Sequence, residues 1–265
     1  MDVKYDLRER FFPHLWCAGC GHGFVLNGLI RAVDSLGYKN KVLVMVSGIG
    51  CSSRISGYVD FHSLHTLHGR ALAFATGVKL SKPSLNVIVP MGDGDALAIG
   101  GNHFIHAARR NINITALVMN NRTYGMTGGQ FSPLSGVGTK ATTAPYMNID
   151  REFDTVELAS AAGATFVART TVYHVKQLQS MLKKAIKHDG FSVLEVLTQC
   201  PTYFGRKNRK GSAVDMINSY RDTTVPIGSD KKKENPELIE RGIFVDKNLP
   251  EYCQAYAELV ERASA

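Results

Sequence analysis

Four cysteines have the residue type and spacing of a metal centre. Cys17 and Cys20 are separated by two residues, and Cys51 and Cys200 lie much further along the chain. Cysteine thiolates bind zinc ions and iron–sulfur clusters, and this irregular spacing differs from the two close pairs of a zinc ribbon. From these residues alone, a structural zinc site and an iron–sulfur cluster both remain open. The fifth cysteine, Cys253, is expected to be a packing residue.

A second set of residues could hold a diphosphate through a divalent cation. It comprises Gly92-Asp93-Gly94-Asp95 and, 28 residues further on, Asn120-Asn121. Mg²⁺ prefers oxygen ligands and shares its coordination sphere with phosphate oxygens, so we expect Asp93, Asn121 and the carbonyl of Thr123 to bind it. The two glycines would let the backbone approach the diphosphate closely. Gly-Asp-Gly alone is more often a turn after a strand, but the Asn-Asn pair favours a diphosphate clamp.

Apolar segments of strand length lead directly into these residues. Continuous apolar runs at residues 42–46, 86–91 and 114–119 predict buried parallel strands, and each ends just before a candidate site. Further strands are predicted at 165–168 and 191–197, and helices at 24–36, 70–80, 97–110, 154–162 and 175–187. This alternation predicts an α/β fold with a doubly wound, mostly parallel sheet. Ligands of such sheets bind beyond the carboxyl ends of the strands, so we expect the candidate residues to converge there.

The amino-acid composition of the chain changes after residue 200. Residues 206–210 form a basic run, and residues 229–237 are highly charged. We therefore predict a cofactor-binding domain at residues 1–200 and a C-terminal arm at 201–265, which packs on the core or on a partner and ends in a short helix at 250–262. The segment 122–147 lacks periodicity, and a loop of that length is expected to be functional.

Composition narrows the class of protein. The chain has 265 residues and a formal net charge of +8, and its odd number of cysteines argues against a disulfide framework. It has neither zinc-finger spacing nor interleaved aromatic and basic residues, so nucleic-acid binding is not expected. No apolar run is long enough to span a bilayer. The first ten residues are charged and lack the apolar stretch of a secretory signal, so we expect a cytoplasmic protein with no membrane association.

The diphosphate clamp resembles a known cofactor motif. Gly-Asp-Gly, a separation of just under thirty residues and then Asn-Asn is similar to the thiamine diphosphate motif. Cys51 lies in the glycine loop that would face this cofactor. A redox cluster bound there would lie where electrons leave the cofactor, and this context favours iron–sulfur over zinc for the four cysteines.

Seven motifs together resemble the beta subunits of 2-oxoacid:ferredoxin oxidoreductases. They are WCAGCGHG at 16–23, GIGCSSR at 48–54, HTLHGR at 65–70, GDGD at 92–95, GGNH at 100–103, YGMTGGQ at 124–130 and TQCPT at 198–202. They cover most of the chain between residues 11 and 205. The likeness is strongest to the branch that uses 2-oxoglutarate, through Cys51-Ser52-Ser53-Arg54 and Cys200-Pro201-Thr202.

This resemblance implies a fold, a reaction and partners. The fold is the thiamine-binding domain of the transketolase-like superfamily. The reaction converts a 2-oxoacid and coenzyme A into an acyl-CoA and carbon dioxide, and passes two electrons singly through a [4Fe-4S] cluster to ferredoxin. An alpha subunit, in a dimer of alpha–beta units, would supply the glutamate that activates the cofactor. The alternatives are the same chemistry on pyruvate or another 2-oxoacid, a zinc-stabilised binding subunit without catalysis, and a thiamine decarboxylase or carboligase without redox chemistry.

The resemblance also implies roles for individual residues. The iron–sulfur ligands would be Cys17, Cys20, Cys51 and Cys200, and the Mg²⁺ ligands would be Asp93, Asn121 and Thr123. The residues that would hold thiamine diphosphate are Gly48, Ile49, Gly50, Cys51, Ser52, His68, Gly69, Gly92, Asp93, Gly94, Asp95, Asn121, Thr123, Gly125, Met126 and Thr127.

Arg54 and His68 are the candidates for catalytic roles. Arg54 lies three residues after Cys51, and its guanidinium suits a substrate carboxylate, although a structural ion pair is an equally common use. His68 is expected to contact the cofactor, while a hydrogen-bonding scaffold is the usual role of such a histidine. Met126 and Leu134 either line a substrate pocket or belong to the core. The basic run at 206–210 would attract acidic ferredoxin or coenzyme A phosphates, or would be a solvated face.

Overall fold

The structure, a computed structural model, describes residues 7–38 and 40–265. Residues 1–6, part of the N-terminal segment in which no secretory signal is expected, lie outside the described residues, as does residue 39. Among the helices of the described residues, none combines the length and the apolar character that crossing a bilayer requires.

Eight strands of the described residues form one sheet. In chain order they are β1 (Leu43–Ser47), β2 (His62–His65), β3 (Asn86–Gly92), β4 (Ile114–Asn120), β5 (Phe166–Thr171), β6 (Phe191–Leu197), β7 (Thr224–Pro226) and β8 (Ile239–Asp246). Their order across the sheet is β2-β1-β3-β4-β6-β5-β8-β7. Neighbouring strands are parallel except for β5 and β8, which pair antiparallel. The predicted α/β fold with a mostly parallel sheet is confirmed.

Helices cover both faces of this sheet. They are α1 (His22–Leu36), α2 (Ile55–Tyr58), α3 (Ala71–Ser81), α4 (Asp93–Leu97), α5 (Gly101–Arg110), α6 (Thr155–Ala161), α7 (Val175–Lys187), α8 (Ala213–Thr223), α9 (Asp230–Glu234) and α10 (Tyr252–Ser264). Helices α1 and α7 pack together on one face, and α3, α5 and α6 pack on the other.

One apolar cluster on each face holds these layers together. Successive side chains of a strand point to opposite faces, so Leu117 and Met119 of β4 join the cluster of α1 and α7. Ala116 and Val118, between and beside them, join the cluster of α3, α5 and α6. Central strands that are buried on both faces are apolar at every position. This double burial explains why the sequence predicts them as continuous apolar runs.

One predicted helix is divided in the structure. The prediction of a single helix at 97–110 is wrong, because α4 ends at Leu97 and α5 begins at Gly101. Gly100 allows the break, since a Cβ atom at this position would lie 2.2 Å from the carbonyl oxygen of Asp95. The chain therefore folds back tightly after the Gly-Asp-Gly-Asp motif, and α4 begins at Asp93 itself. The other predicted helices and strands agree with the structure to within three residues at each end.

The C-terminal segment contributes two strands to the sheet. It begins with a π-helical turn (Pro201–Gly205), and β8 then pairs with β5 while β7 pairs with β8. Neither strand is predicted from the sequence, because β8 is largely half-buried and lacks a continuous apolar run. Cys253 of α10 is buried in the apolar cluster beside α5, which agrees with its expected packing role. The domain boundary at residue 200 stays a prediction.

A network of charged side chains is buried beneath the carboxyl ends of the strands. Glu195 of β6 is 1% exposed, and its carboxylate accepts hydrogen bonds from Asn120 Nδ2 at 2.9 Å and Thr155 Oγ1 at 2.7 Å. Arg169 Nε donates to the other oxygen of Glu195 at 2.5 Å, and Arg169 Nη2 donates to Asp154 Oδ1 at 2.7 Å. Burial of these charges is tolerated because each one is paired and hydrogen-bonded. The network fixes the side chain of Asn120, the last residue of β4.

We expect Glu195→Gln to lower the free energy of unfolding by about 3 kcal/mol, because removing one charge of a buried ion pair leaves the other partly uncompensated. Urea unfolding, followed by circular dichroism, measures this change. Asp222→Asn is the matched control, since Asp222 pairs with Arg221 on the exposed surface, where the pair contributes little. Equal stability of the Glu195→Gln chain and the unsubstituted chain would contradict the assigned ion pair.

Candidate functional site

A cavity of about 290 Å³ opens at the carboxyl edge of the sheet. The loops after β1, β2, β3 and β4 line it, together with the residue that begins α1. Its lining residues are His22, Ile49, Gly50, Cys51, Ser52, His68, Gly92, Asp93, Gly94, Asp95, Asn121, Thr123, Tyr124, Gly125, Met126 and Thr127. All the predicted cofactor-binding residues except Gly48 and Gly69 are among them. The structure therefore brings the candidate residues to one place, while their roles stay predictions.

Three oxygen-bearing residues form a buried group on the cavity wall. Asp93, Asn121 and Thr123 are each less than a tenth exposed. Asn121 Oδ1 accepts a hydrogen bond from the Thr123 N–H at 3.2 Å, and Thr123 Oγ1 donates to the carbonyl oxygen of Gln130 at 2.9 Å. The turn after β4 is thus held by its own side chains. Asn121 and Thr123 of this turn line the same cavity as Asp93, which follows the neighbouring strand β3.

Asp93 is a carboxyl group in a dry environment. Burial raises its pKa to about 7, although the hydroxyl of Ser132 and the N–H groups of Asp93 and Gly94 act in the opposite direction. Ser132 Oγ donates a hydrogen bond to Asp93 Oδ2. Ser132 lies in the long loop after β4, so the loop is attached to the site through this contact. Sequence reasoning missed Ser132, because no local pattern indicates a partner 39 residues away.

Tyr124 forms a wall that depends on the glycine opposite it. A Cβ atom at position 94 would lie 2.1 Å from the Tyr124 ring, so a side chain at this position would displace the ring. Burial raises the pKa of Tyr124 to about 12, which keeps its phenol neutral. The ring also meets His68 edge to face, with centroids 5.8 Å apart. Tyr124 was present in a recognised motif but was not predicted as a site residue.

Asp95 lines the cavity and also connects two loops. Its Oδ1 accepts a hydrogen bond from the Gly69 N–H at 2.6 Å and lies 2.9 Å from His68 Nδ1. A Cβ atom at Gly48 would lie 2.2 Å from Asp95 Oδ2. Gly48 and Gly69 therefore contact Asp95 instead of lining the cavity. They hold the loop after β1 and the loop after β2 at a fixed separation.

The four candidate cysteines lie beside this cavity. Cys17 is exposed, Cys20 and Cys51 are half-buried and Cys200 is buried. A Cβ atom at Gly125 would lie 3.5 Å from the sulfur of Cys51 and 3.8 Å from that of Cys200. Burial raises the pKa of Cys20 to about 12, and the other three thiols are near enough to raise it further. Burial also raises the pKa of Cys51 to about 11, with contributions from Cys200 and Cys17.

These thiols are grouped without being tightly packed. Within residues 7–38 and 40–265, no three His, Cys, Asp or Glu side chains converge closely enough to hold a single metal ion. Four thiolates around one zinc ion, each at about 2.3 Å, would have to lie about 3.8 Å from one another. The looser arrangement of these cysteines differs from that geometry.

The two candidate catalytic residues have different positions. His68 lines the cavity, whereas Arg54 is exposed at the end of a short 3-10 helix (Ser52–Arg54) and is not among the lining residues. Burial raises the pKa of the Cys51 thiol and lowers that of the His65 imidazole. The positive charge of Arg54 lowers both pKa values to a smaller extent. Met126 lines the cavity, while Leu134 is buried in the apolar core. The recognition role of Arg54 stays a prediction.

His22 is a cavity residue that sequence reasoning did not select. It is buried at the start of α1, two residues after Cys20, and its Nδ1 atom has no hydrogen-bond partner in the described part of the chain. Burial lowers the pKa of His22 to about 4, so the imidazole is neutral. Its ring meets that of Trp16 edge to face at 5.8 Å. The Cys-Gly-His sequence was the only signal available for it.

The raised pKa of Asp93 should make the stability of the chain depend on pH. An unfolded aspartate has a pKa of about 4, so between this value and about 7 the folded chain binds more protons at Asp93 than the unfolded chain. The stabilising contribution of Asp93 is therefore complete at low pH and decreases by about 2 kcal/mol between about pH 5 and pH 7. Asp93→Asn should remove this dependence in urea unfolding of the metal-free chain. Asp60→Asn, at an exposed position, should retain it, and an unchanged slope in Asp93→Asn would contradict the raised pKa.

Comparisons with known proteins identify the family to which this chain is similar. Residues 48–196 match the family described as “Thiamine pyrophosphate enzyme, C-terminal TPP binding domain”. The 2-oxoglutarate synthase subunit KorB of Methanothermobacter marburgensis is 50% identical over 266 residues, covering 99% of this chain and 93% of that protein. The 2-oxoacid:ferredoxin oxidoreductase subunit beta of Saccharolobus solfataricus is 48% identical over 190 residues, covering 71% of this chain and 62% of that protein.

A solved structure has the same fold over the whole chain. The 2-oxoglutarate:ferredoxin oxidoreductase from Magnetococcus marinus, with 2-oxoglutarate, coenzyme A and succinyl-CoA bound, gives a TM-score of 0.90 at 36% identity, covering 100% of this chain and 91% of that chain. Identities of this size over nearly complete chains show that these proteins belong to one family. The chain therefore belongs to the beta subunits of the 2-oxoacid:ferredoxin oxidoreductases, within the branch of the 2-oxoglutarate synthase subunits.

Proposed function

We propose that this beta subunit catalyses the oxidative decarboxylation of 2-oxoglutarate with coenzyme A to succinyl-CoA and carbon dioxide, and that electrons leave singly through a [4Fe-4S] cluster to ferredoxin. The observation that carries the proposal is the position of the Cys51 and Cys200 sulfurs beside Gly125. Gly125 is a residue of the cavity wall that also holds Asp93 and Asn121. Thiol ligands and a diphosphate clamp thus share one cavity.

The cavity residues fit thiamine diphosphate and a divalent cation. Asp93, the amide oxygen of Asn121 and the carbonyl of Thr123 would hold Mg²⁺, because they are oxygen donors on adjacent loops. Gly94 lines the cavity beside these donors, and the absence of a side chain there leaves room for the Tyr124 ring. When bound, thiamine diphosphate supplies the electron sink for loss of carbon dioxide from a 2-oxoacid. The chain itself would bind and orient the cofactor, and Tyr124 and the neutral His22 form part of the cavity wall.

The cysteines fit an iron–sulfur cluster better than zinc. Cys17, Cys20, Cys51 and Cys200 are near enough to influence one another's pKa, yet the described residues hold no set tight enough for a single ion. A [4Fe-4S] cluster has four thiolate ligands spread around its four iron atoms. When bound, such a cluster accepts electrons one at a time. A zinc-stabilised binding subunit is therefore the weaker proposal.

Among the described residues, two carboxylates line the cavity, and each already has contacts with the protein. Asp93 is hydrogen-bonded to Ser132 and is the proposed Mg²⁺ ligand. Asp95 Oδ1 meets the Gly69 N–H and His68, and its Oδ2, which has no hydrogen-bond partner among the residues described, lies against Gly48. As a beta subunit, the chain acts with an alpha subunit. We infer that the activating glutamate comes from that subunit, so the isolated chain should bind cofactor without turning over substrate.

The expected result of anaerobic co-expression with the alpha subunit is a brown protein with about four iron atoms per beta chain. It should reduce an artificial acceptor with 2-oxoglutarate and coenzyme A. Cys51→Ser should lose both iron and activity, because one thiolate ligand is removed. Iron analysis, visible absorbance and a panel of 2-oxoacids provide the measurements.

Cys253→Ser is the matched control, since Cys253 is a buried cysteine away from the cavity. It should keep its iron. A colourless complex with one zinc ion per chain would contradict the redox proposal. Higher activity with pyruvate than with 2-oxoglutarate would instead favour the alternative substrate and leave the redox chemistry intact.

Arg54 is our candidate for recognition of the second carboxylate of 2-oxoglutarate. Arg54 lies three residues after Cys51 and two residues beyond the cavity lining, at an exposed position. A substrate that enters from the surface can therefore reach its guanidinium. Arg54→Leu should lower kcat/KM for 2-oxoglutarate about 30-fold, which corresponds to loss of a charged hydrogen bond worth about 2 kcal/mol. Activity with pyruvate, which lacks that carboxylate, should change less than about twofold. Equal losses for both substrates would remove the recognition role, and Arg110→Leu, an exposed arginine at the end of α5, is the control.

A further inference from the structure

A group of unpaired cations lies on the surface next to the cysteine loop. It comprises Lys140, Arg206, Lys207 and Arg209, which we call the basic rim, and all four side chains are exposed. Within residues 7–38 and 40–265, no carboxylate oxygen lies within 4.0 Å of their charged atoms. Exposed charges of one sign that lack partners create a potential that reaches into the solvent. The reaction proposed above does not use them.

The backbone holds the basic rim in a defined shape. The side chain of Asn208 bonds both backbone groups of Lys140, accepting from its N–H at 2.7 Å and donating to its carbonyl at 3.0 Å. Asn208 Nδ2 also donates to the carbonyl of Phe204 at 3.0 Å, and the Lys210 N–H donates to the carbonyl of Gly205 at 2.9 Å. The two segments that carry the cations are thus fixed to each other. A fixed set of charges costs less conformational entropy on binding than charges on a mobile tail.

The basic rim is adjacent to the loop that carries Cys17 and Cys20. A Cβ atom at Gly19, between these cysteines, would lie 2.3 Å from Ala213 Cβ and 3.8 Å from Pro201 Cγ. Gln199 Nε2 donates to the Gly19 carbonyl at 2.8 Å. The cysteine loop therefore contacts the chain on both sides of the basic segment, before it at Pro201 and after it at Ala213. Cys17, at the start of this loop, is exposed.

We infer that the basic rim and the Cys17–Cys20 loop together form the docking surface for an acidic protein that accepts one electron at a time. The inference rests on the proposed function and extends it from the reaction to the path by which electrons leave. A cluster held by the cysteines would give one electron to the redox centre of the partner in each encounter, so that the cluster would be oxidised and the partner reduced. Oxidation of one 2-oxoacid releases two electrons and therefore requires two encounters. Charge complementarity selects the partner, and the exposed cysteine loop places the donor at the contact.

The test compares two charge reversals in the assembled alpha–beta enzyme. Arg206→Glu with Lys207→Glu reverses half of the basic rim. Lys82→Glu with Lys187→Glu makes the same change in net charge at exposed positions that precede β3 and β6, on the opposite edge of the sheet. The measurements are the Kd for a bacterial-type ferredoxin of net negative charge at several salt concentrations, the KM for that ferredoxin, and the rate with a viologen acceptor.

We expect the rim reversal to raise the ferredoxin Kd about 30-fold at low salt and to weaken its salt dependence, as loss of electrostatic complementarity does. Iron content and the viologen rate should be unchanged, and the control reversal should leave the Kd within about twofold. An unchanged Kd, or equal changes in both variants, would overturn the inference. A raised KM for coenzyme A with unaltered ferredoxin binding would show that the basic rim binds coenzyme A. Failure of the variant to assemble would show that the basic rim contacts the alpha subunit. Either result would overturn the docking role. Failure of the unsubstituted enzyme to reduce viologen would count against the proposed function instead.

Discussion

The arrangement of the site depends on one constraint, which is that parallel strands deliver their carboxyl ends to the same edge of a sheet. Strands β1, β3, β4 and β6 are consecutive neighbours in this sheet, and each is followed by a candidate ligand. β1 and β6 are three strand spacings apart, or about 14 Å. The sulfurs of Cys51 and Cys200 nevertheless both approach Gly125. The loops after the outer two strands must therefore bend inward over the inner two, which encloses the cavity.

Burial favours the neutral form of three groups at this edge. Burial raises the pKa of Asp93 to about 7 and that of Cys20 to about 12, and it lowers the pKa of His22 to about 4. In each case the neutral form is favoured, because a dry cavity solvates charge poorly. A cation or a metal centre in such a place interacts strongly with any ligand that ionises, since little water screens the interaction. The same burial that opposes ionisation of these side chains thus favours charged ligands wherever a positive centre binds.

The sequence predicts the centre of this fold better than its edges. β3, β4 and β6 are buried on both faces, so each reads as an apolar run with clear ends. Strand β2 is exposed along its whole length, and β8 is only half-buried, so neither leaves such a pattern. The break between α4 and α5 was also missed, because it depends on the contact of Gly100 with the backbone of Asp95. Local periodicity contains no information about that contact.

The same distinction applies to the site. The position of Asp93 and Asn121 at the cavity could be predicted, because each directly follows a buried strand, while their role as Mg²⁺ ligands stays a prediction. Ser132 and Glu195 could not, since each acts through a partner that is distant in sequence and is brought near only by folding. Arg54 shows the opposite case, in which a residue close to a motif in sequence lies outside the cavity lining. Sequence proximity indicates the loop to which a side chain belongs but not the direction in which it points.

Hydrogen bonds of the segment after β6 connect the end of β4, next to Asn121, to the cysteine loop. Glu195 holds the side chain of Asn120, and the carbonyl of Asn120 accepts the Thr198 N–H at 2.8 Å. The next residue, Gln199, holds the cysteine loop from both ends: its side chain bonds the carbonyl of Gly19 at 2.8 Å, and its carbonyl accepts the Gly21 N–H at 3.1 Å. These are contacts of the protein alone. The separation between Asn121 and the cysteine loop is therefore set by the pairing of β4 with β6, because the extension of β6 is bonded to both. A bound cofactor is not required to define this separation.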